Sequence, residues 1–310
     1  MLEPAGKPLN AATRYCAVLG HPIRHSASPA MQNAALAALG LDWRYLAFEV
    51  HPDDLRPVIE GARAMKFIGF NLTVPHKLLA RDLVDSLDET AKTWGAVNTI
   101  RFEARDAQGK WRPLRDFPES IPREIRSRGF NTDADAITRS LREDLGVKLS
   151  GAKVLLLGAG GAGGVAALKL ASEGVAELFL VNRTEAKACA LKAEITRRFP
   201  SVKVTVGYPK PGKMALDLLL NATSLGLKPK DGLPLDAQKF SLRRARAVYD
   251  MIYRPAETEL LQAAKAVGRR TANGVGMLLY QGARALEIWT GKAAPVEVMR
   301  AALLKNIYGP

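Results

Sequence analysis

Short apolar runs alternate along this chain with segments whose apolar residues recur every three or four positions. The alternation predicts strands followed by helices. Tyr15–Leu19, Trp43–Val50 and Phe67–Thr73 read as strands, with helical spacing over Pro29–Leu39 and Pro52–Met65 between them. A second set of strands is predicted at Val154–Leu157, Glu177–Val181 and Leu216–Asn221. One helical stretch begins at Asn131-Thr132-Asp133 and runs to about Leu145, another covers Val165–Ser172, and a third starts at Asn273-Gly274-Val275-Gly276. Strands alternating with helices predict an α/β fold with mostly parallel sheets. A chain of 310 residues suggests two domains. The middle section, 132–273, forms a domain of its own, and 274–310 folds back onto 1–131. The expected architecture is two α/β domains.

One segment breaks the alternation. Ala104 to Phe130 holds Pro113, Pro118 and Pro122, seven Lys/Arg and four Asp/Glu, with no clear period. It reads as a long basic surface loop. Either it is a tolerated insertion or it touches a cofactor, a substrate or a partner subunit.

Composition narrows the class. With 47% hydrophobic and 25% charged residues, whole-chain disorder is excluded. The longest apolar stretch, Val154 to Leu168, is glycine-rich and too short to cross a bilayer comfortably, so no membrane association is expected. Met1 to Asn10 has no apolar run and no cleavage pattern, so no secretory leader is expected. Two distant cysteines, Cys16 and Cys189, make no disulfide framework or metal cluster. A reducing, cytoplasmic setting follows. The net charge of +14 attracts anions. Aromatic residues are only 6%, and no RNA-binding or zinc-finger signature is present, so nucleic acid is not expected as the main ligand. Small phosphorylated or carboxylated molecules fit the charge better.

The strand Val154–Leu157 runs into Gly158-Ala159-Gly160-Gly161-Ala162-Gly163, in which Gly158, Gly160 and Gly163 keep the G-x-G-x-x-G spacing. The first glycine permits a tight turn, the second lets backbone approach a pyrophosphate, and the third lets helix and strand pack closely. The helix N-terminus then offers N–H groups and a positive dipole end to phosphate. The placement between strand and helix gives this motif its weight. At the end of the next strand an NAD site would place a carboxylate for the ribose 2′-OH. This chain has Asn182-Arg183-Thr184 and then Lys187. A guanidinium pairs with a 2′-phosphate where a carboxylate would repel it. NADP(H) is therefore the expected cofactor, and truncating Arg183 in a partly dry site would cost roughly 2–5 kcal/mol. Asn182 or Thr184 also reads as a cap for the following helix.

Four polar segments follow apolar strands, where α/β sheets place ligands. They are Gly20 to Pro29 with Ser26 and Ser28, Asn71-Leu72-Thr73-Val74-Pro75-His76-Lys77, Gly95-Ala96-Val97-Asn98-Thr99, and Asn131-Thr132-Asp133. Together with Gly158–Gly161, Asn182-Arg183-Thr184, Asn221-Ala222-Thr223-Ser224, Tyr249 to Tyr253 and Gly274 to Gln281, these segments resemble the shikimate dehydrogenase family. The motifs lie in order from about residue 15 to 285, which is far more specific than any one of them.

The resemblance implies an NADP-dependent oxidoreductase that interconverts shikimate and 3-dehydroshikimate in aromatic amino-acid biosynthesis. It implies an open N-terminal α/β substrate domain of 1–131 plus 274–310 and a Rossmann-type NADP-binding domain of 132–273, with a cleft between them. It places the substrate carboxylate on Ser26 and Ser28, although Ser28-Pro29 also reads as an N-cap and first helical residue. It assigns Lys77 and Asp133 as the catalytic pair. Asn71, Thr73, Asn98, Tyr253 and Gln281 form the rest of the substrate shell, with Thr99 a lesser member. Met251, Gly274 and Met277 are implied beside the nicotinamide, where core packing and a turn are the alternatives. Thr223 and Ser224 line the cofactor groove. The chain departs from the family at His21, where Asn is frequent, and in the greater length of Thr99–Asn131. His21 and His25 have the spacing of a helical metal pair, but Pro22 lies between them and no third ligand is found, so no metal is expected. A quinate or aminoshikimate dehydrogenase is the alternative within the family, and a non-catalytic ligand-sensing protein the alternative outside it. A monomer or homodimer is expected.

Overall fold

The structure is a computed structural model that describes residues 7–210, 212, 215–228 and 231–309. The first six residues of the segment read for a leader lie outside it. The chain divides into two compact units, Met1–Asp133 with Leu279–Pro310, and Ala134–Leu278. The sequence put the joins at 131/132 and 273/274.

The first unit runs β1 (Arg14–Gly20), α1 (Ser28–Ala38), β2 (Trp43–Glu49), α2 (Leu55–Ala64), β3 (Gly69–Leu72), α3 (His76–Leu79), β4 (Ser86–Leu87), α4 (Glu89–Trp94), β5 (Thr99–Arg105), β6 (Trp111–Pro113) and β7 (Ile125–Phe130). Its sheet has the order β2-β1-β3-β5-β7-β4, with β6 pairing on β5. The strands β2, β1 and β3 are parallel, but β5 is antiparallel to β3, β6 and β7. Pairing is mostly parallel as expected, and β5 is the antiparallel exception at the centre of this sheet.

The order locates a ligand site. From β1 the chain goes to one side to make β2 and then to the other to make β3. The carboxyl ends of β1 and β3 therefore flank a switch point, where open α/β sheets bind ligands. Because β5 runs the other way, its first residue, Thr99, pairs with Asn71 at the end of β3, and Phe130 at the end of β7 pairs with Thr99. Four separated segments reach the same end of the sheet.

The segment Ala104–Phe130 is not a surface loop. It closes β5, turns back as β6, and returns as β7, which pairs with β5 from Thr99↔Phe130 to Ala104↔Ile125. Charge masked its period. In β7 the buried positions Ser127 and Gly129 alternate with Arg126 and Arg128. These arginines and Arg101 converge on the buried carboxylate of Glu103, with Arg126 2.7 Å from it, while Arg126 stacks over Trp111 and Arg128 over Phe130. Burial alone pushes the Glu103 carboxyl up, but the hydrogen bonds and charges of Arg101 and Arg126 outweigh it and hold the group below its ordinary value of 4.5. Its stabilisation is complete above that value and is lost as pH falls through the lower folded one. Glu103→Gln is expected to cost about 2 kcal/mol, lowering Tm by roughly 4–8 °C at neutral pH. Thermal melts across pH check this, and the variant and wild-type curves converge in acid.

The second unit contains α5 (Asp133–Glu143, entering from the first unit), β8 (Lys153–Leu157), α6 (Gly161–Ser172), β9 (Glu177–Val181), α7 (Glu185–Arg198), β10 (Lys203–Val206), β11 (Leu216–Asn221), β12 (Ala245–Asp250), α8 (Glu259–Ala266) and β13 (Arg270–Ala272). All six strands are parallel, in the order β10-β9-β8-β11-β12-β13. This is the Rossmann order, with its switch point between β8 and β11. Leu155, Leu157, Leu216, Leu219, Phe240 and Val248 form its core. Two helices end the chain, α9 (Val275–Thr290) and α10 (Val296–Tyr308). From Leu279 onward α9 belongs to the first unit, where the buried Trp289 donates its indole N–H to the Ile100 carbonyl.

Candidate active site

In the first unit Lys77 lies on the single turn of α3 and Asp133 follows β7. The Lys77 ammonium meets Asp133 Oδ2 at 2.8 Å, with the lysine side chain 32% and the aspartate 10% exposed. Both ends are fixed by backbone. The Lys77 carbonyl accepts the Val97 N–H at 2.8 Å, and the Asp133 N–H is capped by Asn131 Oδ1 at 3.1 Å. Asp133 opens α5 with Asn131 supplying the cap, which leaves its own carboxylate for Lys77.

Behind the pair lies a buried polar network. Asn98 donates from Nδ2 to Thr132 Oγ1 (3.0 Å) and accepts the Thr132 N–H on Oδ1 (2.8 Å). Asn71 Nδ2 donates to Thr99 Oγ1 (3.0 Å) and to the Asn98 carbonyl (3.3 Å). Asn71 Oδ1 accepts from the Tyr45 hydroxyl at 2.7 Å. Burial drives the Tyr45 phenol well above its ordinary range, the neighbouring Cys16 adds to this, and a hydrogen bond with Ser28 pulls the other way. The cap reading of Ser28 is corrected. The N-cap of α1 is Ala27, without a side-chain cap bond. Ser26 Oγ accepts the Ser28 N–H at 3.4 Å. Thr73 follows β3 directly, its N–H bonded to the Leu19 carbonyl.

In the second unit the glycine turn sits at the carboxyl end of β8, beside the switch point. Gly158 has φ of +100°, and a Cβ on Gly163 would stand 2.0 Å from the Gly158 carbonyl, so neither position admits a side chain. Gly160, Gly161 and Ala162 are exposed, and nothing lies within 4 Å of a Cβ built on Gly160 or Gly161. The helix starts at Gly161, four residues earlier than the apolar pattern indicates. No side chain at Gly160 or Gly161 crowds the amides of its first turn, which suits a pyrophosphate. The Ala159 N–H is not among them, because Asn182 Oδ1 accepts it at 2.9 Å. Asn182 Nδ2 donates to the Thr184 carbonyl, so this side chain ties the glycine turn to the loop after β9. Thr184 is the N-cap residue of α7 but makes no side-chain cap bond. Arg183, Thr184 and Lys187 are exposed, as a 2′-phosphate would require.

At the ends of β11 and β12, Asn221 Oδ1 accepts from the Thr223 N–H and hydroxyl, and its Nδ2 donates to Asp250. Asp250 is also bound by the Thr258 hydroxyl at 2.7 Å and the Ile252 N–H. Thr223 thus shapes its loop, while Ser224 beside it is exposed. Met251 and Gly274 are brought together, since a Cβ on Gly274 would lie 2.0 Å from the Met251 carbonyl. Met277 lies one turn along α9 and is half-buried.

Family models match three stretches of the chain. They are the shikimate dehydrogenase substrate binding domain over residues 18–100, shikimate / quinate 5-dehydrogenase over 140–206, and the shikimate 5′-dehydrogenase C-terminal domain over 274–304. The NADP(+) shikimate dehydrogenase of Methanopyrus kandleri is 38% identical over 303 residues, covering 96% of this chain and 98% of the relative. The chain belongs to the shikimate dehydrogenase family. A solved shikimate dehydrogenase in complex with NADP+ matches at a TM-score of 0.81 and 35% identity, covering 98% of this chain and 99% of that one. The shikimate dehydrogenase of Thermus thermophilus, in complex with NADP(H) and shikimate, matches at 0.77 and 34%, covering 94% and 99%.

Of the shell read from the sequence, Lys77 and Asp133 pair, and Asn71 and Asn98 share a network where β3 ends and β5 begins; Ser26, Ser28 and Thr73 follow β1 and β3 in the same unit. Gln281 belongs to the same unit on α9, next to Gly282, whose carbonyl accepts from Gln32 of α1. Tyr253 belongs to the second unit, on the loop after β12, where burial raises its phenol and Arg254 partly offsets this. His21 sits 3.4 Å from Glu49, and among the described residues no group of three or more His, Cys, Asp or Glu is placed to hold a metal ion. Among them too, no helix is long and apolar enough to cross a membrane. Sequence reasoning missed Tyr45, which carries no motif and is marked only by being a tyrosine at an inward position of β2.

Proposed function

We propose that the chain is an NADP-dependent shikimate dehydrogenase that reversibly reduces 3-dehydroshikimate to shikimate in aromatic amino-acid biosynthesis. The observation that carries this reading is the Lys77–Asp133 pair, 2.8 Å apart, in the unit whose β1–β3–β5 strand ends also bear Ser28, Asn71, Thr73 and Asn98. The first unit is the substrate domain and the second, with its open glycine turn and exposed Arg183, the NADP-binding domain. The bound cofactor supplies the hydride. As carbonyl becomes alkoxide, negative charge builds on oxygen and a proton must reach it. The Lys77 ammonium opposes that charge and supplies the proton, and Asp133 holds the ammonium and receives a neighbouring hydroxyl. Ser26 and Ser28 bind the carboxylate, and Asn71, Thr73, Asn98, Tyr253 and Gln281 fix the ring. Two free thiols, Cys16 buried and Cys189 exposed, support a reducing, cytoplasmic setting.

The test is nicotinamide absorbance, followed with NADP+ and NAD+ against shikimate and quinate in turn. We expect kcat/KM for shikimate with NADP+ to exceed that for quinate by roughly tenfold or more. A preference for quinate would overturn the choice of substrate, and no reduction with either would overturn the activity.

A further inference from the structure

Tyr45 carries a hydroxyl into a fully buried position, where a phenylalanine would serve packing equally well. The residue is 1% exposed and its ring lies 6.0 Å from that of Trp289, centroid to centroid. A buried phenol needs a partner, and the network leaves one assignment of its proton. The Asn71 atom facing the Asn98 carbonyl must be its nitrogen, because a carbonyl only accepts. The atom facing Tyr45 is therefore the amide oxygen, and at 2.7 Å the phenol donates to it. Asn98 is oriented independently, since its Oδ1 takes the Thr132 N–H. The phenol is what satisfies the Asn71 oxygen. Both Asn71 donors are spent on Thr99 and the Asn98 carbonyl, so the atom left to meet a substrate hydroxyl is the same oxygen that Tyr45 holds.

We propose that Tyr45 is a positioning residue for substrate binding, holding the Asn71 amide oxygen in place through its buried hydroxyl. The inference rests on the function proposed above. It does not depend on contact between Tyr45 and substrate. Without the phenol, the Asn71 oxygen is buried and unpaired, and the amide turns to find another donor.

Tyr45→Phe is the test, read by steady-state kinetics and calorimetric shikimate binding, with a thermal melt as the folding control. We expect KM and Kd for shikimate to rise about fivefold, the scale of one buried hydrogen bond, with kcat and KM for NADP+ within about twofold of wild type. In an Asn71→Ala background the same change should have no further effect. 4-Aminophenylalanine at position 45, which returns an N–H donor to the same place, should recover the affinity. An unchanged KM and Kd, a rise that persists in the Asn71→Ala background, or failure of the rescue would each overturn the proposal. A wild-type chain that neither binds nor oxidises shikimate overturns this inference and the proposed function together; an active wild type with an unaltered Tyr45→Phe variant overturns this one alone.

Discussion

Lys77→Ala is expected to lower kcat by about a hundredfold or more, the scale of lost proton transfer to a developing alkoxide. The fold should be retained, because Lys77 is bound to the first unit mainly through its carbonyl, which accepts from Val97. The side chain is partly exposed and pairs with Asp133. Removing it leaves Asp133 with its backbone cap from Asn131 intact, so the melting temperature should shift little. Lys77→Arg separates the two tasks of the ammonium. It keeps the charge beside Asp133 but gives up no proton near neutral pH, so it should restore binding of shikimate far more than kcat. Stopped-flow and steady-state rates on purified variants decide this. A kcat for Lys77→Ala near wild type, with folding intact, would remove the lysine from the mechanism.

The second large effect belongs to Arg183→Ala. KM for NADP+ should rise roughly tenfold to a hundredfold, as expected for loss of a charge-assisted pair worth about 1.5–3 kcal/mol. The structure sets this figure below the range for a partly dry site, because Arg183 is exposed where β9 meets α7. KM for NAD+ should change little, since that cofactor offers no 2′-phosphate. Asn182 makes the outcome interpretable: it holds the loop to the glycine turn through Ala159 and Thr184, so truncating its neighbour leaves the loop in place. Equal effects on both cofactors would contradict the assignment.

Much of the site was legible because it consists of local signals. The glycine spacing, the polar runs after strands, and Asn182-Arg183-Thr184 each carry their chemistry within a few residues. The strands β1, β2, β9 and β11 were legible as apolar runs. What failed depended on partners distant in the chain. The strand β7 carries arginines at alternate positions, so a hydropathy pattern reads loop; only pairing with β5, and Glu103 beneath, makes those charges compatible with a sheet. Tyr45 gains its role from Asn71 on a strand that is not its hydrogen-bonded neighbour, since β1 lies between β2 and β3. The alternative reading of Ser28 as a cap rested on Ser-Pro being a good helix start, yet α1 is capped at Ala27 without a side-chain bond. The antiparallel centre of the first sheet followed from neither propensity nor period.

The ladder between β5 and β7 has a consequence for how this protein can vary. Six residue pairs, from Thr99↔Phe130 to Ala104↔Ile125, separate Asp133 from the turn around Gly109 and from the stretch after Phe117. Insertions or deletions in those tips are absorbed before they reach the carboxylate, as register is fixed by pairing and not by contour length. Arg14 and Arg115 pin the interior of the excursion, the first to the Leu114 carbonyl and the second to the carbonyls of Ile288 and Trp289. Tags, epitopes or surface charge can therefore be grafted at the two tips with the reaction centre mechanically insulated from them.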